Sequence, residues 1–310
     1  MTLGGDVHDG AVVAALERRL SAFRVQPVAQ PEVQLEVGAS RLSPPPGSGR
    51  TVYQSPGVDV LYYDDAGELY VDHPAGVRLR CHPAAGRIQL SVPARDRSCV
   101  GLATHPLFTV ALIEVLKQRG RFSLHAGCAA VGDQGILVAG PSGAGKSTLA
   151  VAMARAGMAF LSDDTVFLTQ SGGSVQVLGF PDEVDVTDHT IALFPDLAQA
   201  ARAPSVNGRE KRSLRLEEAL PVTSALRCQP AALVLPRVTR RDRSRLGRVS
   251  GQEALLDLAP NVLLTDLTGA QAHFDVLRAL AASTPCYRLA TGTDLELVPD
   301  LLAGLAHGTG

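Results

Sequence analysis

The sequence predicts an α/β protein: a mixed sheet flanked by helices, with a smaller antiparallel β region ahead of it. Three observations carry this. An apolar run, QGILVAG (134–140), is followed by a glycine-rich loop and then by TLAVAMARAG (148–157), a strand–loop–helix order. Further apolar strand-like runs, ALVLPRV (232–238) and CYRLATG (286–292), alternate with helical segments downstream. Residues 51–93 instead show short alternating runs separated by turn signals.

Taken in order, HDGAVVAALERRLSAF (8–23) reads as an amphipathic helix, with Val12, Leu16 and Leu20 on one face. Residues 25–50, rich in Pro, Gly and Ser, read as a loop or linker. VDVLYYDDAGELYVD (58–72) has two apolar-aromatic runs around Asp65-Ala66-Gly67, a hairpin signal. GVRLRCHPAAGRIQLSV (76–92) repeats the pattern, with Val77, Leu79 and Cys81 alternating and then Ile88, Leu90 and Val92. THPLFTVALIEVLKQR (104–119) reads as a half-buried helix with Thr104 as N-cap, Pro106 in its first turn and Gly120 as its stop. FSLHAGCAAVG (122–132) is a strand, and MAFLSDDTVFL (158–168) holds one or two more. EALLDLAP, AHFDVLRALAAS and DLELVPDLLAGL are helical. The domain boundary is expected at 103/104: a helix plus β-rich region before it, a phosphate-loop domain over 104–310.

Composition narrows the function classes. With 310 residues, 45% hydrophobic and 19% charged, the chain can bury a substantial core. The net charge of −2 gives no global basic field for nucleic acid. No run reaches about 18 consecutive apolar residues, so no membrane span is expected. The acidic start MTLGGDVHDG is not a signal peptide. Five scattered cysteines without a CxxC point to free thiols in a reducing cytoplasm rather than a disulfide or zinc framework.

The chemistry lies in Gly140-Pro-Ser-Gly-Ala-Gly-Lys-Ser147, which fits GxxxxGK[ST] at every fixed position. Gly140, Ser142, Gly143, Ala144 and Gly145 form a loop whose backbone N–H groups can curl around a phosphate without Cβ clashes. The helix beginning at Lys146, Ser147 and Thr148 adds partial positive charge there. Lys146 is the residue for the β- and γ-phosphates and Ser147 the hydroxyl for Mg²⁺, so the expected cofactors are ATP and Mg²⁺. Ser162-Asp163-Asp164 follows one helix later. A strand after that helix in a parallel arrangement ends on the loop's side, where one carboxylate can hold Mg²⁺ and the other take a proton from an acceptor hydroxyl. Adjacent carboxylates on an extended chain face opposite ways, which suits a division of labour. A solvated acidic turn is the plainer alternative. His125, ahead of the loop, is either a core or capping residue or a group that orients the acidic pair or interacts with phosphate.

The string LHAGCAAVGDQGILVAGPSGAGKSTLAVAMARAGMAFLSDDTVFL (124–168) resembles the catalytic region of HPr kinase/phosphorylase and the wider HPr-kinase-like group. A looser likeness continues to about residue 302 through GFPDEVDV, IALFPDL, EKRSLRLEE, ALVLPRV and PCYRLATGTDLELVP. The resemblance implies the mixed sheet shared with phosphoenolpyruvate carboxykinases, a homo-oligomer, and transfer of the ATP γ-phosphoryl group to a protein serine. It assigns Lys146 and Ser147 to phosphate and metal, Asp163 and Asp164 to base and metal, and His125 to the histidine before the loop. Two features differ from HPr kinases proper: Thr148 stands where they have Glu, and no EIRGLG-type signature occurs. The partner implied is therefore a Ser/Thr-bearing protein or peptide, such as a precursor peptide, rather than HPr.

Two basic segments remain. Asn207-Gly-Arg-Glu-Lys-Arg212 is either an exposed loop or a clamp that brings Lys211 and Arg212 to the transferring phosphoryl group. RVTRRDRSRLGR (237–248) is either a solvated surface hairpin or a docking site for an acidic peptide or a neighbouring subunit; it has no aromatic residue to stack on nucleic-acid bases. Gly179-Phe-Pro-Asp182 reads as a turn. A Ser/Thr protein or peptide kinase is thus the leading expectation. A small-metabolite kinase and a non-catalytic ATP-binding module are its alternatives.

Overall fold

The computed structural model describes residues 3–4, 10–26, 28–38, 40–55, 58–93, 98–201, 211–262 and 269–308. The chain divides into two compact units, Met1–Arg121 with Leu264–Gln271, and Phe122–Leu263 with Ala272–Gly310.

The first unit is built on a seven-stranded sheet of β1 (Leu3–Gly4), β2 (Val33–Gly38), β3 (Arg50–Ser55), β4 (Val58–Tyr63), β5 (Glu68–Asp72), β6 (Arg78–His82) and β7 (Arg87–Ser91), in the order β1-β2-β7-β6-β5-β4-β3. The run β3 to β7 is antiparallel, while β2 pairs parallel with both β1 and β7. Strand β2 lies inside the stretch expected as a loop. Val33, Leu35 and Val37 alternate buried between exposed Gln34 and Glu36, a period-2 signal that the surrounding Pro and Gly outweigh in a composition-based reading. Helix α1 (Gly10–Arg19) buries Val12 and Leu16. After the short α2 (Ser98–Leu102), helix α3 (Phe108–Lys117) starts four residues later than the sequence suggests. Thr104 does not cap it, because the Thr104 hydroxyl donates back to the Val100 and Gly101 carbonyls. Within α3 the Lys117 ammonium lies 2.8 Å from both Glu114 carboxylate oxygens, and the two side chains are buried together. The run Cys99–Lys117 is long and apolar enough to cross a membrane, but 78% of its apolar window is buried, as in a core helix.

The second unit contains β8 (Phe122–Val131), β9 (Gln134–Ala139), α4 (Lys146–Arg155), β10 (Ala159–Ser162), β11 (Thr165–Ser171), β12 (Ser174–Leu178), β13 (Val184–Thr187), α5 (Asp188–Leu193), β14 (Lys211–Leu214), α6 (Leu216–Ala219), β15 (Arg227–Val238), β16 (Arg245–Val249), α7 (Gly251–Leu258), α8 (Ala270–Ser283), β17 (Cys286–Thr291) and α9 (Val298–Ala306). Eight of the strands form one mixed sheet. β9, β15 and β17 run parallel, and β8, β10, β11, β12 and β16 join it through antiparallel pairings. The pairings β8–β11–β12–β15–β9–β8 close on themselves.

Burial on both faces explains why the central strands read as continuous apolar runs. Leu137, Ala139, Leu233 and Leu235 pack on one side with Ala254 and Leu258 of α7 and Val276, Leu277 and Leu280 of α8. Ile136, Val138, Ala232 and Val234 pack on the other with Leu149 and Met153 of α4 and Val298, Leu302 and Leu305 of α9. A third cluster joins Ala150, Val151 and Ala154 of α4 and Phe160 to the two-stranded ribbon β13–β14, through Val184, Val186 and Leu214. The fold thus comprises a mixed α/β sheet flanked by helices and a separate, largely antiparallel N-terminal sheet.

The segment 237–248 is not a hairpin. β15 and β16 both pair with β17, which lies between them, so residues 239–244 cross over the C-terminal end of β17. A strand contributed some 40 residues later cannot be read from the local sequence. All five cysteines are free and buried.

Candidate functional site

β9 runs straight into the glycine-rich loop, and the loop into α4. Gly143 and Gly145 have φ of 81° and 100°, a region that side chains with a Cβ avoid. Gly145 is the N-cap of α4, and its carbonyl accepts the Leu149 N–H at 2.9 Å. The N–H groups of the helix's first turn have no intrahelical acceptor, as at every helix start, and here they border the loop's concavity. Pro141, Ser142 and Gly143 are exposed while Ala144 and Lys146 are buried. The Lys146 ammonium donates to the carbonyls of Gly140 (2.7 Å) and Pro141 (3.2 Å), so its side chain folds over the loop. Burial holds the Lys146 pKa below the usual lysine value; Lys211 pushes the same way, and Asp164 and Asp163 oppose.

Asp163 and Asp164 sit where β8 changes partners. Residues 128–130 of β8 pair with β10, and residues 122–125 pair with β11. The two strands β10 and β11 are consecutive along the chain, so the residues between them must bend at the fork. The Ser162 hydroxyl holds the bend by accepting the N–H groups of Asp164 (3.2 Å) and Thr165 (3.1 Å). β10 runs antiparallel to β8 and β8 antiparallel to β9, so β10 ends on the same side as the loop that follows β9.

The two carboxylates face different surroundings. Asp163 is 4% exposed and hydrogen-bonds the Ser147 side chain. Burial pushes its carboxyl well above the usual range. Asp164 adds to the rise, the Ser147 hydrogen bond opposes it, and Asp185 and Asp182 add smaller contributions. Asp164 is half exposed. Its Oδ1 lies 3.1 Å from His125 Nδ1 and its Oδ2 accepts the Thr165 hydroxyl at 2.9 Å. Thr165 is the register partner of His125, which sets the histidine opposite the bend.

The other sequence-selected residues are distributed as follows. The Thr148 hydroxyl is bonded to that of Thr190 (2.9 Å), tying α4 to the start of α5 rather than reaching into the loop. Residues 207–210 of the first basic segment lie outside the described residues. Lys211 opens β14 opposite Thr187 and is near enough to Lys146 to lower its pKa. Arg212 forms an ion pair with Asp188 at 3.1 Å. Sequence reasoning missed Asp182 and Asp185. Asp182 belongs to the segment expected as a mere turn, where its Oδ1 accepts the Glu183 N–H at 2.8 Å. Asp185 accepts the Ser213 hydroxyl at 2.7 Å on the β13–β14 ribbon. The alternation Val184-Asp185-Val186, with the valines fully buried, was the available signal.

Among the described residues no group of three His, Cys, Asp or Glu side chains gathers as a metal cage. A divalent ion would therefore take Ser147 and Asp163 together with phosphate oxygens and water, which is how Mg²⁺ is ordinarily held beside a nucleotide. A carboxyl buried against the Ser147 side chain, with its pKa raised by that burial, fits such an ion.

No protein-family model matches the chain, and no curated protein matches it. Among solved structures it is similar to the Hpr(Ser) kinase/phosphatase from Coxiella burnetii, at 13% identity over 58% of this chain and 92% of that one, with a TM-score of 0.30.

Proposed function

We propose that the second unit is an ATP- and Mg²⁺-dependent phosphotransferase that moves the γ-phosphoryl group to a Ser or Thr hydroxyl of a protein or peptide. The observation that carries the reading is the unlike pair behind the loop: buried Asp163 on Ser147, half-exposed Asp164 on His125. Bound Mg²⁺ supplies charge neutralisation across the phosphates. The loop N–H groups and Lys146 bind and orient the triphosphate. Ser147 and Asp163 hold the metal. Asp164, open to solvent and oriented by His125, takes the proton from the acceptor hydroxyl. Lys211, beside Lys146, counters charge on the transferring group.

Incubation with γ-labelled ATP, Mg²⁺ and Ser-containing peptides tests the proposal. Label should appear on peptide with the wild type and be lost in Lys146→Ala and Asp163→Asn. Label on small molecules alone, or tight ATP binding without turnover, would replace the reading with one of its alternatives.

A further inference from the structure

The phosphate loop has unlike neighbours on its two sides. Towards β10 lie the carboxylates. Towards β15 the contact is Val238, whose Cγ2 is 3.4 Å from where a Cβ on Gly145 would stand. From this contact the chain passes through Arg237, Arg240, Arg241, Arg243, Arg245 and Arg248, crossing the end of β17 and then forming β16. All six arginines are exposed. None forms an ion pair with a described acidic residue. Six positive charges thus face one negative charge, Asp242, within twelve residues of a chain whose net charge is −2. The nearby Asp294 accepts the Ser244 N–H (2.7 Å) and hydroxyl (2.6 Å), which pins the crossing loop, and it attracts Arg243 alone of the six without an ion-pair contact.

We infer that residues 237–248 dock an acidic stretch of the peptide whose hydroxyl is brought to Asp164, an inference that rests on the phosphotransfer reading above. Guanidinium groups bind carboxylates in pairs of hydrogen bonds, and a row of them selects a run of Asp or Glu. Two features favour a polypeptide over nucleic acid. No aromatic residue occurs in 237–249 to stack on bases. β16 ends the strand order, so among the described residues no strand pairs with its outer backbone edge, where an extended chain can add. From the end of β10 to β17 is four strand spacings of about 4.8 Å, roughly 20 Å or about six extended residues. The acidic stretch therefore lies about six positions from the acceptor hydroxyl.

The test uses fluorescein-labelled peptides with one serine and, about six positions away, a block of either Asp/Glu or Gln. Anisotropy without nucleotide gives peptide affinity; ATP affinity and the melting curve are measured in parallel. The acidic peptide should bind at least about tenfold more tightly than the Gln peptide, with the difference shrinking as salt rises. The combined Arg241→Gln, Arg243→Gln, Arg245→Gln, Arg248→Gln variant should lose that preference and keep its ATP affinity within about twofold. The combined Arg241→Glu, Arg243→Glu, Arg245→Glu, Arg248→Glu variant, which makes the segment net acidic, should instead prefer a Lys-block peptide, which excludes simple misfolding. Equal binding of both peptides, an undiminished preference in the Gln variant, or tighter binding of an oligonucleotide of equal charge overturns the inference. An intact acidic preference without label transfer to any peptide would retain the docking surface and remove the phosphotransfer reading.

Discussion

Asp163→Asn separates what the site costs the fold from what it contributes to chemistry. In metal-free buffer the wild-type carboxyl is buried beside Asp164, with Asp182 and Asp185 near; the Ser147 hydrogen bond and the weaker attraction of Lys146 favour its charged form, and burial outweighs them. Leaving such a group uncompensated costs about 1–3 kcal/mol. Asn keeps the shape and still accepts from Ser147, so that cost is relieved. For a unit of this size each kcal/mol moves Tm by about 2–4 °C, which gives a rise of about 2–12 °C at neutral pH. The pH dependence has a definite sign. The folded carboxyl has a raised pKa, so the wild type is relatively most stable below the ordinary value of 3.8, where folded and unfolded chains both hold the proton. It loses ground as pH rises from there through the folded pKa, whereas Asn does not titrate. The Tm gap between the proteins should therefore be near zero at about pH 4 and widen towards pH 8. Scanning fluorimetry across that range with chelator present measures it. Mg²⁺ with ATP should then stabilise the wild type far more than the variant, and only the wild type should transfer label. A variant no more stable than wild type at neutral pH, or a gap just as wide at pH 4, would refute the assignment of Asp163 as a strained, cation-seeking carboxylate.

Lys146→Ala should weaken ATP binding by about tenfold or more, since a charge-assisted hydrogen bond contributes about 1.5–3 kcal/mol, as titration calorimetry would read. Gly143→Ala forces a Cβ into positive φ at a cost of about 1–2 kcal/mol and bends the loop, so ATP affinity should fall with little change in far-UV circular dichroism. His125→Ala should lower kcat more than it raises KM, and His125→Gln, which still bonds Asp164, should recover part of the loss in steady-state assays. Phe160→Ala empties the centre of the cluster beneath β13 and β14 and should cost about 3–5 kcal/mol in denaturant melts.

The parts of the site legible in the sequence are those that local chain geometry dictates. The strand 134–139, the loop and the helix from Lys146 are one continuous run, and glycine spacing alone announces the turn. Asp163 and Asp164 were visible because they directly follow the next strand. Asp182 and Asp185 were not, because their nearness to Asp163 depends on where a separate ribbon packs against α4. Arg212 was read with Lys211 as one basic pair. On strand β14 neighbouring side chains diverge, and Arg212 turns to Asp188. Strand β2 was hidden by surrounding prolines and glycines, and the crossing of 239–244 over β17 follows from a long-range pairing that no local pattern encodes.

The divided pairing of β8 has a consequence for how such a protein can diversify. One continuous strand fixes the height of His125, of the loop's entry at Ala139 and of the Asp163–Asp164 bend. A single-residue insertion in 122–131 would turn every later side chain to the opposite face and break all three alignments at once. The crossing segment 239–244 lies outside that strand and sets none of these heights. Length changes there leave His125, Ala139 and the bend in register, so under the proposed phosphotransfer a new acceptor is most readily gained by rewriting the rim while the forked strand is kept as the ruler of the centre.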